Sequence, residues 1–162
     1  AFQMLRRFDR DVVDLKPRAV VLKLCAINFG PKAPTIGVTK AEYREMIDRA
    51  QAAGIKPVLA TVVPVSQAWA DRKGPQVQAG ILAFNAWVKE EGRKRRLVVA
   101  DYHTALSGAD AFVNPRSTTD GLHVSPAGYA LMTKVVGPAI DETLHGKRPP
   151  PPKAPRPSSR RP

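Results

Sequence analysis

An aspartate and a histidine three residues apart are the side chains in this sequence best suited to do chemistry. Asp120 and His123 open the segment DGLHVSPAGY, residues 120–129. An imidazole can accept the proton of a hydroxyl that attacks a carbonyl carbon, while a neighbouring carboxylate orients the ring and stabilises its charged form. An isolated pair with this spacing occurs in ordinary solvated loops about as often as in catalytic sites. Here Ser125 and Pro126 suit the N-cap and first position of a helix, and this context favours the catalytic interpretation.

Asn28 is a second polar candidate, because it follows the apolar run VVLKLCAI at residues 20–27. A near-continuous apolar run predicts a strand buried on both faces of a parallel sheet, and we expect one over residues 18–28, interrupted by Lys23. An asparagine at a strand end is most often a turn former or helix cap. Its amide can also donate to the oxyanion that forms when an ester carbonyl is attacked.

Both segments resemble conserved blocks of the SGNH, or GDSL-type, ester hydrolases. Residues 120–129 are similar to the last block of that family, which implies that His123 is the general base and Asp120 its partner. Residues 20–30 resemble the third block, a strand that ends in Gly-x-Asn-Asp, which implies that Asn28 is an oxyanion donor. The resemblance covers residues 1 to about 144 and implies no metal and no organic cofactor. It departs from the family at two positions of the third block, where Ala26 replaces glycine and Phe29 replaces the acid.

The block that carries the nucleophile in these hydrolases, Gly-Asp-Ser, does not occur in the 162 residues. The family places it, and a second block with a donor glycine, ahead of the segment that residue 1 resembles. We therefore expect a C-terminal portion of such a hydrolase, inactive as an esterase on its own. Ser66 follows a predicted strand but lacks the glycine-rich elbow that exposes a nucleophile, so we interpret it as a loop serine. Ser125 is better explained as a helix N-cap.

Two further residues could carry chemistry, but their surroundings favour structural roles. His103 and Asp101 could ligate a metal, yet no additional Cys or His stands at ligand spacing, so we predict a structural role at a strand end. Cys25, the only cysteine, lies inside the apolar run and is predicted to be a buried thiol. The basic run at residues 93–96 is interpreted as a solvated turn between helix and strand.

Strands and helices alternate along the chain, which indicates how these residues are positioned. This order implies right-handed crossovers and a parallel sheet covered by helices on both faces, a three-layer α/β/α sandwich of the flavodoxin-like kind. Ligands bind such sheets beyond the carboxyl ends of the strands. The resemblance implies further N-terminal strands, so the strand at 18–28 would be an exposed edge through which the chain could associate. The predicted strands are 18–28, 55–63 and 97–102, and the predicted helices are 40–53, 75–91 and 126–144.

Composition divides the chain into a domain and a tail. Residues 1–145 are expected to form one α/β domain, and residues 146–162, rich in proline, are predicted to be disordered. The tail has six basic and no acidic residues, half of the net charge of +12. The tryptophans lack the interleaved basic and aromatic pattern of a nucleic-acid platform, and no apolar run is long enough to span a bilayer.

The resemblance implies hydrolysis of a small-molecule carboxylic ester through Ser-His-Asp chemistry. The alternative is a noncatalytic α/β binding or scaffold domain, whose proline-rich basic tail recruits a protein or an anionic surface.

Overall fold

The computed structural model describes residues 1–74 and 76–146. The predicted tail therefore lies outside the described residues, except for Gly146. The described part of the chain contains three strands and six α-helices, with one π-helical turn and two 3-10 turns between them. The elements are α1 (Phe2–Arg6), the π-helical turn Asp9–Val13, β1 (Ala19–Leu22), the 3-10 turn Ala26–Phe29, α2 (Ile36–Ala52), β2 (Lys56–Ala60), α3 (Gln67–Lys73), α4 (Gln76–Arg95), β3 (Val99–Ala100), α5 (Tyr102–Leu106), the 3-10 turn Pro115–Ser117 and α6 (Pro126–His145).

The three strands form one parallel sheet in the order β1-β2-β3. Successive residues of β2 point to opposite faces, as the strand geometry requires. Leu59 packs into a core shared with α2 and α4, whereas Val58 and Ala60 pack into a second core with α5 and α6. Helices therefore cover both faces of the sheet, and the predicted three-layer α/β/α sandwich is confirmed. Within the described residues, β1 lies at an edge of the sheet, as expected.

All three strands are shorter than predicted, and at the ends of β1 and β2 side chains bond to the backbone. The strand predicted at 18–28 ends at Leu22, whose carbonyl oxygen accepts from the buried Tyr43 hydroxyl at 2.6 Å. Beyond the end of β2, both backbone groups of Val62 bond to the side chain of Asn85, at 2.7 and 3.0 Å. A backbone group that is satisfied by a side chain is not available to a neighbouring strand.

Side-chain caps decide where the helices begin. The predicted helix at 126–144 is confirmed as α6, because Ser125 Oγ accepts from the Gly128 amide at 3.2 Å. The helix predicted from residue 40 begins earlier, because Thr35 caps α2. The short helices α3 and α5 were not predicted, and each begins at a capping side chain, Ser66 for α3 and Asp101 for α5.

Two predictions about individual segments were wrong. Cys25 is exposed rather than buried, because the chain turns into a 3-10 helix at this point and Ala26 occupies the buried position. The basic run at 93–96 is mostly helical: α4 continues to Arg95, which forms ion pairs with Asp48 and Glu91. Among the described residues, no helix has both the length and the apolar character that crossing a bilayer requires.

Candidate active site

Polar residues follow all three strands at the same edge of the sheet, since the strands are parallel. Asn28 lies beyond β1, the segment 61–66 beyond β2, and Asp101 beyond β3. The loop that contains Asp120 and His123 joins this edge through one backbone hydrogen bond, from the Ser66 amide to the Gly121 carbonyl oxygen at 2.8 Å. The candidate residues therefore collect where ligands bind in open parallel sheets.

Asp120 and His123 are in direct contact. Nδ1 of the imidazole lies 2.7 Å from Asp120 Oδ2. The other carboxylate oxygen accepts from the amides of His123 and Leu122 at 2.8 and 3.0 Å. Hydrogen bonds from the His123 amide, the His123 ring and the Leu122 amide hold the pKa of Asp120 well below its usual range. The carboxylate is therefore ionised and acts only as an acceptor.

This contact determines which nitrogen of the His123 ring can react. Because ionised Asp120 can only accept, Nδ1 must carry the proton, and in the neutral ring Nε2 then holds the free lone pair. The His123 side chain is 73% exposed, so Nε2 is open to an approaching hydroxyl. The geometry is that of a general base whose tautomer and orientation are set by a carboxylate.

The loop that carries this pair is fixed at its far end to α6. Ser125 Oγ donates to the Arg116 carbonyl oxygen at 2.6 Å, and the Ser125 amide donates to the Ser117 carbonyl oxygen at 3.0 Å. Gly128 packs directly on the Ser117 backbone, where a Cβ would collide. The serine, proline and glycine of the sequence motif thus serve to start α6 at a fixed position beside the loop.

Asn28 lies in the 3-10 turn after β1 rather than on a strand. Its Nδ2 donates to the Cys25 carbonyl oxygen at 2.9 Å, and its Oδ1 lies against the backbone nitrogen of Ala1. The side chain therefore stabilises its own turn, the structural role left open by the sequence. Among the described contacts only one of the two Nδ2 hydrogens is used, and no hydrogen bond links Asn28 to Asp120 or His123.

A groove lies beside Asn28, between its turn and the first turns of α4. Its volume is about 580 Å³, and its lining is largely apolar. Phe29 forms part of this lining and packs on the Phe84 ring, with 5.3 Å between ring centroids. Phe29, which stands where the third block has an acid, therefore contributes an apolar surface next to Asn28.

Ser66 and His103 have structural contacts. Ser66 Oγ accepts from the Trp69 amide at 3.1 Å as the N-cap of α3. His103 is 8% exposed, its amide donates to Thr61 Oγ1, and its Nδ1 lies 3.2 Å from Ser107 Oγ. In the part of the chain that the structure describes, no three His, Cys, Asp or Glu side chains are grouped so that they could hold a metal ion.

Sequence reasoning missed two residues that support this edge of the sheet. Asn85 lies on the buried face of α4, and a polar amide at an apolar position of the predicted helix is the signal that could have identified it. Thr118, whose hydroxyl bonds to two residues of the loop, has no distinguishing sequence pattern.

Comparisons with known proteins agree with the fold and with the family resemblance. A solved structure of a Bacteroides fragilis protein assigned as an acylhydrolase shares 30% identity, covering 88% of this chain and 70% of its own, with a TM-score of 0.78. A GDSL-like lipase from Bacteroides thetaiotaomicron shares 26% identity over 88% of this chain and 71% of its own, again with a TM-score of 0.78. No curated protein matches significantly. The GDSL-like Lipase/Acylhydrolase family matches residues 1–131, and the chain belongs to that family.

Proposed function

We propose that this chain supplies the general base and an oxyanion donor for hydrolysis of small-molecule carboxylic esters. The observation that carries the proposal is the 2.7 Å contact between His123 Nδ1 and Asp120 Oδ2, which leaves Nε2 exposed. Membership of the GDSL-like acylhydrolase family supports the same reaction class.

In the proposed reaction His123 Nε2 accepts the proton of a serine hydroxyl as the serine oxygen bonds to the ester carbonyl carbon. The free Nδ2 hydrogen of Asn28 donates to the oxyanion that forms. The protonated ring then gives its proton to the departing alcohol as the ester C–O bond breaks, and water releases the acyl group by the reverse sequence. No metal or organic cofactor takes part.

The nucleophile in this proposal is a serine outside the 162 residues. Gly-Asp-Ser is absent from the sequence, and the hydroxyl of Ser66 is engaged as a helix cap without a glycine-rich elbow. The apolar groove beside Asn28 is the proposed place for the acyl group, since it begins at the residue that would bind the oxyanion.

One experiment tests the reaction and the roles of the residues. Protein extended through an in-frame upstream Gly-Asp-Ser is assayed with p-nitrophenyl acetate, alone and as the His123→Ala and His145→Ala variants. His145 is exposed at the end of α6, so its variant is the matched control. We expect only His123→Ala to abolish turnover. Full activity in His123→Ala, or no such upstream block, would contradict the proposal.

The same assay on the 162-residue chain tests the nucleophile. Loss of the serine from a triad lowers turnover by about 10⁶-fold, so the chain alone should not exceed the rate given by free imidazole. Turnover well above that rate, if Ser66→Ala abolished it, would identify Ser66 as the nucleophile and refute an external serine.

A further inference from the structure

The loop that presents His123 is held by side chains in addition to the backbone bond from the Thr119 amide to the His123 carbonyl oxygen at 3.0 Å. Three consecutive amides, at residues 121–123, all donate to side-chain oxygens. The amides of Leu122 and His123 bond to Asp120, and the Gly121 amide bonds to Thr118 Oγ1 at 2.9 Å. The side chains of Asp120 and Thr118 therefore both stabilise the conformation of this loop.

Thr118 lies at the base of the loop, where it forms an isolated antiparallel bridge with Val124. Its hydroxyl accepts from the Gly121 amide and donates to the His123 carbonyl oxygen, also at 2.9 Å. One hydroxyl thus connects the residue after Asp120 to His123 itself. The Thr119 hydroxyl cannot replace it, because it lies 3.5 Å from the His123 carbonyl and has no bond to Gly121.

We propose that Thr118 is a positioning residue for the Asp120–His123 pair, a role that rests on the function proposed above. By linking Gly121 to the His123 carbonyl, its hydroxyl fixes the spacing at which Nδ1 meets Oδ2. A valine keeps the shape of the side chain but removes both hydrogen bonds, so the amide of the buried Gly121 loses Thr118 as its acceptor. Serine restores the hydroxyl.

The readout is the position of the proton on the neutral His123 ring, because a merely structural residue would not change it. Long-range ¹H–¹⁵N spectra of the labelled 162-residue chain distinguish Nδ1–H from Nε2–H. In the wild type we expect Nδ1–H, held by Asp120. In Thr118→Val the ratio of Nδ1–H to Nε2–H should fall about tenfold, the effect of one lost hydrogen bond, and Thr118→Ser should restore it.

Thr133→Val is the matched control, since Thr133 Oγ1 donates to the Tyr129 carbonyl oxygen within α6 and has no hydrogen bond to the loop at residues 118–123 in the described part of the chain. Thr133→Val should leave the proton on Nδ1.

Asp120→Asn separates the two proposals. If Asp120→Asn leaves the tautomer of His123 unchanged, the catalytic pair itself is wrong, and the role of Thr118 fails with it. If Asp120→Asn shifts the proton but Thr118→Val does not, only the role of Thr118 is overturned.

A measurement on the wild type keeps the inference testable even if Thr118→Val does not fold. Hydrogen exchange at the Gly121 amide should be slow, because Gly121 is buried and its amide donates to Thr118 Oγ1. Exchange at the rate of an exposed peptide would show that the bond does not persist in solution and would overturn the proposal.

Discussion

Ser66 and Gly121 are in direct contact between the end of β2 and the loop of Asp120 and His123. The Ser66 amide donates to the Gly121 carbonyl oxygen at 2.8 Å, and a Cβ on Gly121 would overlap Ser66 Oγ. Gly121 also has φ of +87°, which side chains rarely tolerate. The position of the candidate general base relative to the sheet therefore depends on a glycine.

Gly121→Ala should destabilise the protein by about 1–3 kcal/mol, because the left-handed backbone and the overlap with Ser66 cannot both be relieved locally. Urea unfolding measures the change. Gly137→Ala in α6 is the control, since a Cβ there meets no atom within 4 Å and alanine favours a helix. A stability equal to wild type in Gly121→Ala would show that the loop moves freely away from Ser66.

Asn85→Leu should destabilise the protein by about 2–6 kcal/mol, because it leaves the amide and carbonyl of Val62 without partners and each buried group costs about 1–3 kcal/mol. The side chain is 4% exposed, so water cannot readily replace it. Asn85→Asp, which keeps the acceptor but loses the donor, is the matched comparison. A loss below about 1 kcal/mol for Asn85→Leu, well under the cost of two unpaired groups, would refute this account.

The fold followed from the sequence because hydrophobic periodicity and caps are local signals. The run at 20–27 predicted a buried strand, of which only Ala19–Leu22 forms and only Leu22 is fully buried, and the Ser125-Pro126 pair predicted the start of α6, which is present. The contact between Asp120 and His123 is also local, since the two residues are three apart. What sequence did not reveal depends on contacts distant along the chain: the bonds from Tyr43 and Asn85 to the backbone at the strand ends. The exposure of Cys25 likewise follows from where β1 ends.

Asp120 should remain ionised at a lower pH than an ordinary aspartate. Its pKa is lowered mainly by the His123 amide, then by the His123 ring and the Leu122 amide. Titration of the carboxyl ¹³C resonance measures this directly. His123→Ala should raise the pKa of Asp120 only part of the way to its usual value, because both backbone donors remain. A titration at the usual value of about 3.9 in the wild type would show that the carboxylate does not hold these bonds in solution.

Acidification should destabilise the fold through His103. Burial is the main cause of its lowered pKa, opposed by the charge of Asp101 and reinforced by that of Lys89. Its Nε2 is buried and has no hydrogen-bond partner among the residues that the structure describes. The unfolded chain binds a proton near the ordinary histidine pKa of about 6.5, whereas the folded protein binds it only at lower pH. Stability is therefore retained above that value and falls as the pH drops from there through the folded pKa.

The measurement is the free energy of unfolding in urea at about pH 7.5 and about pH 5, on either side of the ordinary histidine value. His103→Gln cannot titrate, so the loss of stability between the two pH values should be smaller than in the wild type, whatever its stability at the higher pH. His145→Gln removes an exposed histidine at the end of α6 and should leave the pH dependence as it is. Equal losses in wild type and His103→Gln would show that the His103 ring takes up its proton in the folded protein as readily as in the unfolded chain.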